Sequence, residues 1–167
     1  ARYQNIQSSH IALHTDSKNR SSVTFFHNDD ELGGIKTHIA NKDKGVSKGV
    51  RFESSGADYA EYLEKLNANE KIQEGDVVGV YQGKITLNTK HADRVMVVSS
   101  MPLIVGNKKP NVKQNQVAAV SFVGQVPVKV RGSVISGDFI VASGKNDGTA
   151  IAISKEALTA KHISKII

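Results

Sequence analysis

Apolar residues in this sequence come in short, β-branched bursts, and nearly every burst is closed by Gly, Asn or Asp. The early bursts are Ile11-Ala12-Leu13, Val23-Thr24-Phe25-Phe26, Ile35-Lys36-Thr37-His38-Ile39 and Val50-Arg51-Phe52. Turn formers separate them: Asp16-Ser17, Asn28-Asp29-Asp30, Gly33-Gly34 and the stretch 41–45. Later bursts are Val77–Tyr81, Ile85-Thr86-Leu87, Arg94–Val98, 116–123, 127–131 and Phe139–Ala142. This punctuation predicts short strands joined by tight turns, and so a mainly β chain. With 5% aromatic residues and no Trp, the core must be built from Val, Ile and Leu.

Two features interrupt the pattern. Residues 58–66 are good helix formers throughout, with Tyr59, Tyr62, Leu63 and Leu66 at helical spacing. Asp58 is placed as an N-cap and Glu61 as the partner that completes a capping box, so a short helix is expected here. The second feature is an internal echo. Glu74-Gly75-Asp76 precedes Val77-Val78, and Ser136-Gly137-Asp138 precedes Phe139-Ile140, as if each Gly-Asp turn launched a buried strand. A brief second helix is expected over 155–160, capped by Ser154 with Glu156 near its start. The division that follows is a β-rich stalk end over 1–57 and a compact β-barrel or β-clip over 58–167. The first part has little apolar material of its own, and its short strands are expected to intertwine with those of identical copies. Ala1 in place of Met and the apolar run 163–167 at the other end read as the edges of a piece cut from a longer chain.

Composition removes several classes of function. The absence of Cys removes thiol chemistry, Cys-based zinc sites and disulfide scaffolding. No apolar run approaches the roughly 20 residues that cross a bilayer as a helix. The net charge of +6 is spread, and its densest spots, 42–48 and 108–113, lack interleaved aromatics, so no nucleic-acid partner is expected. Of six His residues only His10 and His14 stand close, and on a strand they lie roughly 13 Å apart. No metal site and no cofactor are expected, and neither a nucleophile elbow nor a phosphate loop is present.

One constellation carries chemistry, Gly56-Ala57-Asp58-Tyr59-Ala60-Glu61. On a helix, Asp58 and Glu61 would share a side. Two carboxyl groups held close do not both ionise easily, so the pair could act as acid and base. Free N–H groups at the helix start would stabilise a developing oxyanion at the preceding peptide bond. The same residues also read as a plain helix cap, contributing about 1 kcal/mol and needing no function.

The run Ser55-Gly56-Ala57-Asp58-Tyr59-Ala60-Glu61-Tyr62-Leu63-Glu64 resembles the start of the peptidase G2 type intramolecular chaperones, autoproteolytic domains that end phage appendage and tail-fibre proteins. The likeness continues through Gly75-Asp76-Val77-Val78-Gly79, Ala92-Asp93-Arg94-Val95-Met96-Val97, Val123-Gly124-Gln125-Val126-Pro127-Val128-Lys129-Val130, Gly137-Asp138 and the loop 143–148. Many relatives carry an aromatic residue where this chain has Lys65. The resemblance implies a homotrimer, assembled on the rest of a parent fibre chain in a virion or at a cell surface. It implies self-cleavage at the junction of Ala57 and Asp58, with Asp58 and Glu61 as the catalytic carboxylates. The same fold would also suit a non-cleaving trimerisation or capping domain, or a receptor- or glycan-binding tip that calls for exposed aromatics.

Overall fold

A computed structural model describes residues 21–38 and 49–167. The sequence burst at 11–13, the His10–His14 pair and the turn at 41–45 lie outside the described residues. The chain divides into two compact units, Ala1–Ser55 and Gly56–Ile167.

The first unit shows a three-stranded antiparallel sheet of β1 (Ser21–His27), β2 (Asp30–His38) and β3 (Gly49–Ser54). Gly33-Gly34, expected in a turn, instead lies inside β2 between its two neighbours. A Cβ on Gly33 would sit 2.1 Å from the Glu53 carbonyl oxygen, so the close approach of strands there needs glycine. Register pairs Val23 with Ile35 and Ile35 with Phe52, which sets these three side chains in a row on one face. Phe25 and Val50 share that face by the two-residue period of the strands. The other face is charged: Lys36 bonds Glu53 at 2.5 Å and Glu31 at 3.5 Å, and Arg51 bonds Glu53 at 2.7 Å. Among the described residues of this unit only Gly34 is buried. Phe25 and Phe52 stay 57% and 67% exposed, so the apolar face has no cover.

The second unit is a barrel. Its strands are β4 (Asp58–Lys65), β5 (Val77–Tyr81), β6 (Lys84–Thr86), β7 (Arg94–Val98), β8 (Pro102–Gly106) and β9 (Val117–Gly124). They run in the order β6-β5-β7-β9-β4-β8, and a further pairing of β6 with β4 closes five of them into a ring. The helix expected over 58–66 is therefore absent, and Asp58–Lys65 is strand. One edge of β4 is taken by β9 along Asp58 to Glu64. The other edge is shared, by β8 beside Asp58 to Glu61 and by β6 beside Glu64 and Lys65. Closing the barrel gives β4 partners on both edges, and that outweighs the helix propensity of its residues.

A smaller sheet of β10 (Val130–Arg131), β12 (Ala150–Ile153) and β11 (Phe139–Ala142) packs on the barrel wall. This is why β5 and β7 are apolar at consecutive positions. Val78, Val80 and Val98 point into the barrel with Leu63, Ile85 and Val120. Val77 and Val97 point outward, against Ala142 and Ala150 of the small sheet. The expected helix over 155–160 is a turn, in which Ser154 accepts from the Ala157 N–H. The one α-helix among the described residues, α1 (Ala160–Ile163), follows it, because Thr159 and not Ser154 opens the helical turn.

The Gly-Asp echo is structural. In both copies the Asp N–H donates to the carbonyl three residues back, Gln73 or Ile135, and the Asp carboxylate accepts that residue's N–H in return. Gly75 (φ +77°) and Gly137 (φ +100°) supply the left-handed corner. Asp76 does more than its counterpart. It is buried, it also bonds the Lys129 ammonium at 2.6 Å, and its carboxylate touches the backbone of Gly148. Gly148 is held in place by the neighbouring Asp147, whose carboxyl sits at about 2, first through the Thr149 hydroxyl and then through Arg131.

This close approach gives a paired prediction. Gly83 and Gly148 have almost equal φ, +80° and +76°, but a Cβ on Gly83 meets nothing within 4 Å while one on Gly148 falls 2.5 Å from Asp76 Oδ1. Alanine at Gly83 should cost about 1 kcal/mol of backbone strain. Alanine at Gly148 should cost at least about 2 kcal/mol more, because the Asp76 node must open. Urea unfolding of the two variants measures the difference.

Candidate functional site

The chain enters the barrel unit through Gly56-Ala57-Asp58, and each of these residues is held by backbone. The Ala57 N–H donates to the Met101 carbonyl at 3.2 Å, and the Ala57 carbonyl accepts from the Gln125 N–H at 3.2 Å. Glycines line the passage on both sides. A Cβ on Gly56 would lie 2.6 Å from the Leu103 nitrogen. One on Gly124, whose φ is +126°, would lie 2.4 Å from the Ala57 oxygen and 2.9 Å from the Asp58 Cβ. The peptide bond between Ala57 and Asp58 is thus gripped in an extended form, with Ala57 itself exposed.

Asp58 turns inward. It is 1% exposed, and its Oδ1 accepts a 2.8 Å hydrogen bond from the hydroxyl of Ser99, which is also buried. Its Oδ2 is buried with no hydrogen-bond partner. An unsatisfied buried oxygen on a carboxyl group costs about 1–3 kcal/mol or more, and stable folds seldom keep one without reason. The other such oxygen among the described residues is Glu70 Oε2. That carboxyl uses Oε1 to receive Thr86 Oγ1 and the Leu87 N–H, tying the loop before β5 to β6.

Glu61 does not join Asp58. On β4 the buried residues are Asp58, Ala60 and Leu63, whereas Tyr59 and Glu61 face out. Three residues of strand also span roughly 10 Å, so the acidic pair expected from helical spacing is not formed within one chain. Glu61 lies instead against Gly106 of β8. The oxyanion donor is displaced as well: no helix N-terminus stands at the junction, and the N–H that reaches the Ala57 oxygen comes from Gln125.

Ser99 was not legible as a site residue. It lies 41 positions from Asp58 in a Ser-Ser pair that reads as the end of a strand. The Gly124-Gln125 pair stands in a segment that carried the family likeness, but nothing in its residue types announces an oxyanion contact. Ser99 also lines a cavity of about 710 Å³, with Tyr62, Ile72, Gln114, Val117 and Lys129 among its walls. Several aromatics expected in apolar bursts are exposed, Tyr59 on β4 and Phe122 on β9 among them, because Val, Ile and Leu already fill the barrel.

Among the described residues no group of His, Asp and Glu is arranged to hold a metal ion, and no helix is long and apolar enough to cross a membrane. Comparison with family models, curated proteins and solved structures finds no match for this chain.

The orphaned oxygen makes a prediction about cost. Asp58→Asn keeps the shape of the side chain and removes its charge. If the site is kept for chemistry, this variant should be as stable as the parent or more stable by about 1 kcal/mol. A loss of several kcal/mol in thermal or urea unfolding would mark Asp58 as a purely structural anchor.

Proposed function

We propose that this chain is the assembly module of a fibre or appendage protein, an intramolecular chaperone that brings three copies together and then cuts its own backbone just before Asp58. The observation that carries this reading is the grip on the Ala57–Asp58 peptide bond beside a buried, half-satisfied carboxyl. A hydrolytic site acting on its own chain needs its target bond fixed and its reactive oxygen kept out of water, and both conditions are met here. No diffusing substrate is required, and the reaction runs once per chain.

The first unit supports the assembly half of the reading. A three-stranded sheet with a bare apolar face is marginal alone in water. Burying Phe25, Phe52 and Val50 against identical faces contributes about 1.5–3 kcal/mol for each side chain fully covered. Three such sheets, apolar faces inward and the Lys36–Glu53–Arg51 face outward, make a short fibre end. Glu61 faces out from β4, where a neighbouring copy can meet it. Once the chaperone part is severed, the assembled fibre has no easy route back through the transition state that the module lowered.

Intact mass and a denaturing gel on freshly expressed chain test the proposal. Wild type should give two pieces that part between Ala57 and Asp58, and Asp58→Ala should remain whole. Native mass should report three copies, reduced to one by Phe52→Asp. A wild type that stays whole but trimeric leaves a non-cleaving trimerisation domain, and a monomer removes the assembly reading too.

A further inference from the structure

Ser99 stands where the second acidic group was expected, and its bond to Asp58 divides the carboxyl into two unlike oxygens. Oδ1 is clamped by the hydroxyl at 2.8 Å, while Oδ2 is left with no partner inside the protein. Asp76, in a structural role, spends both oxygens, on Gln73 and Lys129, whereas Glu70 leaves its Oε2 without a partner as Asp58 leaves its Oδ2. Asp58 spends one. The carboxyl is also attached two carbons from the nitrogen of the bond to be cut, so its oxygen can reach the Ala57 carbonyl carbon through a six-membered ring. Gly124 abuts both partners of that ring, the Ala57 oxygen and the Asp58 Cβ. The Gln125 N–H already touches the oxygen on which charge would develop.

Building on the self-cleavage reading, we infer that Asp58 is the nucleophile that attacks its own amino-terminal peptide bond, and that Ser99 is the positioning residue that aims it. In the first step an electron pair on Oδ2 forms a C–O bond to the Ala57 carbonyl carbon, and the carbonyl π pair moves onto oxygen, facing the Gln125 N–H. The adduct collapses by breaking the C–N bond; the Asp58 nitrogen keeps that pair and takes a proton from water. What remains is a mixed anhydride joining the Ala57 acyl group to the Asp58 side chain. The hydroxide left by that proton transfer then splits it, restoring the Asp58 carboxylate and leaving Ala57 as a carboxylic acid, which passes its proton to the new Asp58 amine. The sum is one peptide bond and one water converted to a carboxylate and an ammonium, with no oxidant or cofactor in the balance. Ala57 is exposed, so solvent can supply the water at its carbonyl carbon. Glu61, on the opposite face of β4, takes no part in these steps within its own chain.

The test follows cleavage with time in the full chain after refolding, for wild type, Ser99→Ala and Ser99→Thr, each checked for the wild-type unfolding transition. Loss of the hydroxyl should slow cleavage about 100-fold, and Thr, which keeps it, should restore most of the rate. Ser99→Ala cutting at the wild-type rate, or Ser99→Thr folding normally and failing like Ala, overturns the role of Ser99. A second measurement needs no variant. Wild-type cleavage in hydroxylamine should give a hydroxamate at Ala57 or at the Asp58 side chain, as an anhydride does; fragments bearing carboxylates alone overturn the nucleophilic step. If wild type does not cut at all, the self-cleavage reading falls with this one. If it cuts and Asp58→Ala does not, but the Ser99 or hydroxylamine result is negative, only this inference falls.

Discussion

Strand β4 is the piece on which the barrel unit depends. It pairs with β9 on one edge and divides the other between β8 and β6, so it is the seam at which the sheet becomes a ring. Backbone hydrogen bonding sets this outcome, because an open sheet would leave β6 and the end of β4 with unpaired groups. The seam also places the candidate site. Asp58 opens β4 with its side chain turned inward, and the end of β7 delivers Ser99, the next residue, to meet it. A side chain at the first residue of the closing strand has its position set by the whole barrel and not by a loop.

What could be read from the sequence was the local chemistry of turns and bursts. The Gly-Asp echo translated directly into two turns of the same design, since Gly and Asp each have one structural reason to be there. The turn at Gln82-Gly83 was legible for the same reason, and both residues take positive φ as a two-residue hairpin requires. The bursts at Val77–Tyr81, Arg94–Val98 and Phe139–Ala142 coincide with strands whose limits match them residue for residue. Pro102–Gly106 and Ala150–Ile153 were not anticipated, being short apolar runs without alternation.

The misreading of 58–66 has a physical lesson. Tyr59 and Leu66, which would line the apolar face of a helix, are 50% and 59% exposed, while Ala60 and Leu63 are buried. Local propensity favoured helix by tenths of a kcal/mol per residue, and three neighbouring strands decided against it. The candidate site was therefore half legible. Asp58 and the junction with Ala57 could be singled out from local residue types, but Ser99 and Gln125 reach them only through long-range pairing. Glu61 looked like a partner because helical spacing was assumed, and the strand moves it to the other face.

The account rests on one contact, the hydroxyl of Ser99 holding one oxygen of Asp58. A double-mutant cycle of Asp58→Ala and Ser99→Ala, read as unfolding free energy, measures that contact apart from each residue's other effects. The account predicts a coupling of about 1–3 kcal/mol, the range for a buried hydrogen bond to a carboxylate. Additive single and double variants would mean that the two side chains do not meet, and the site as described would not exist.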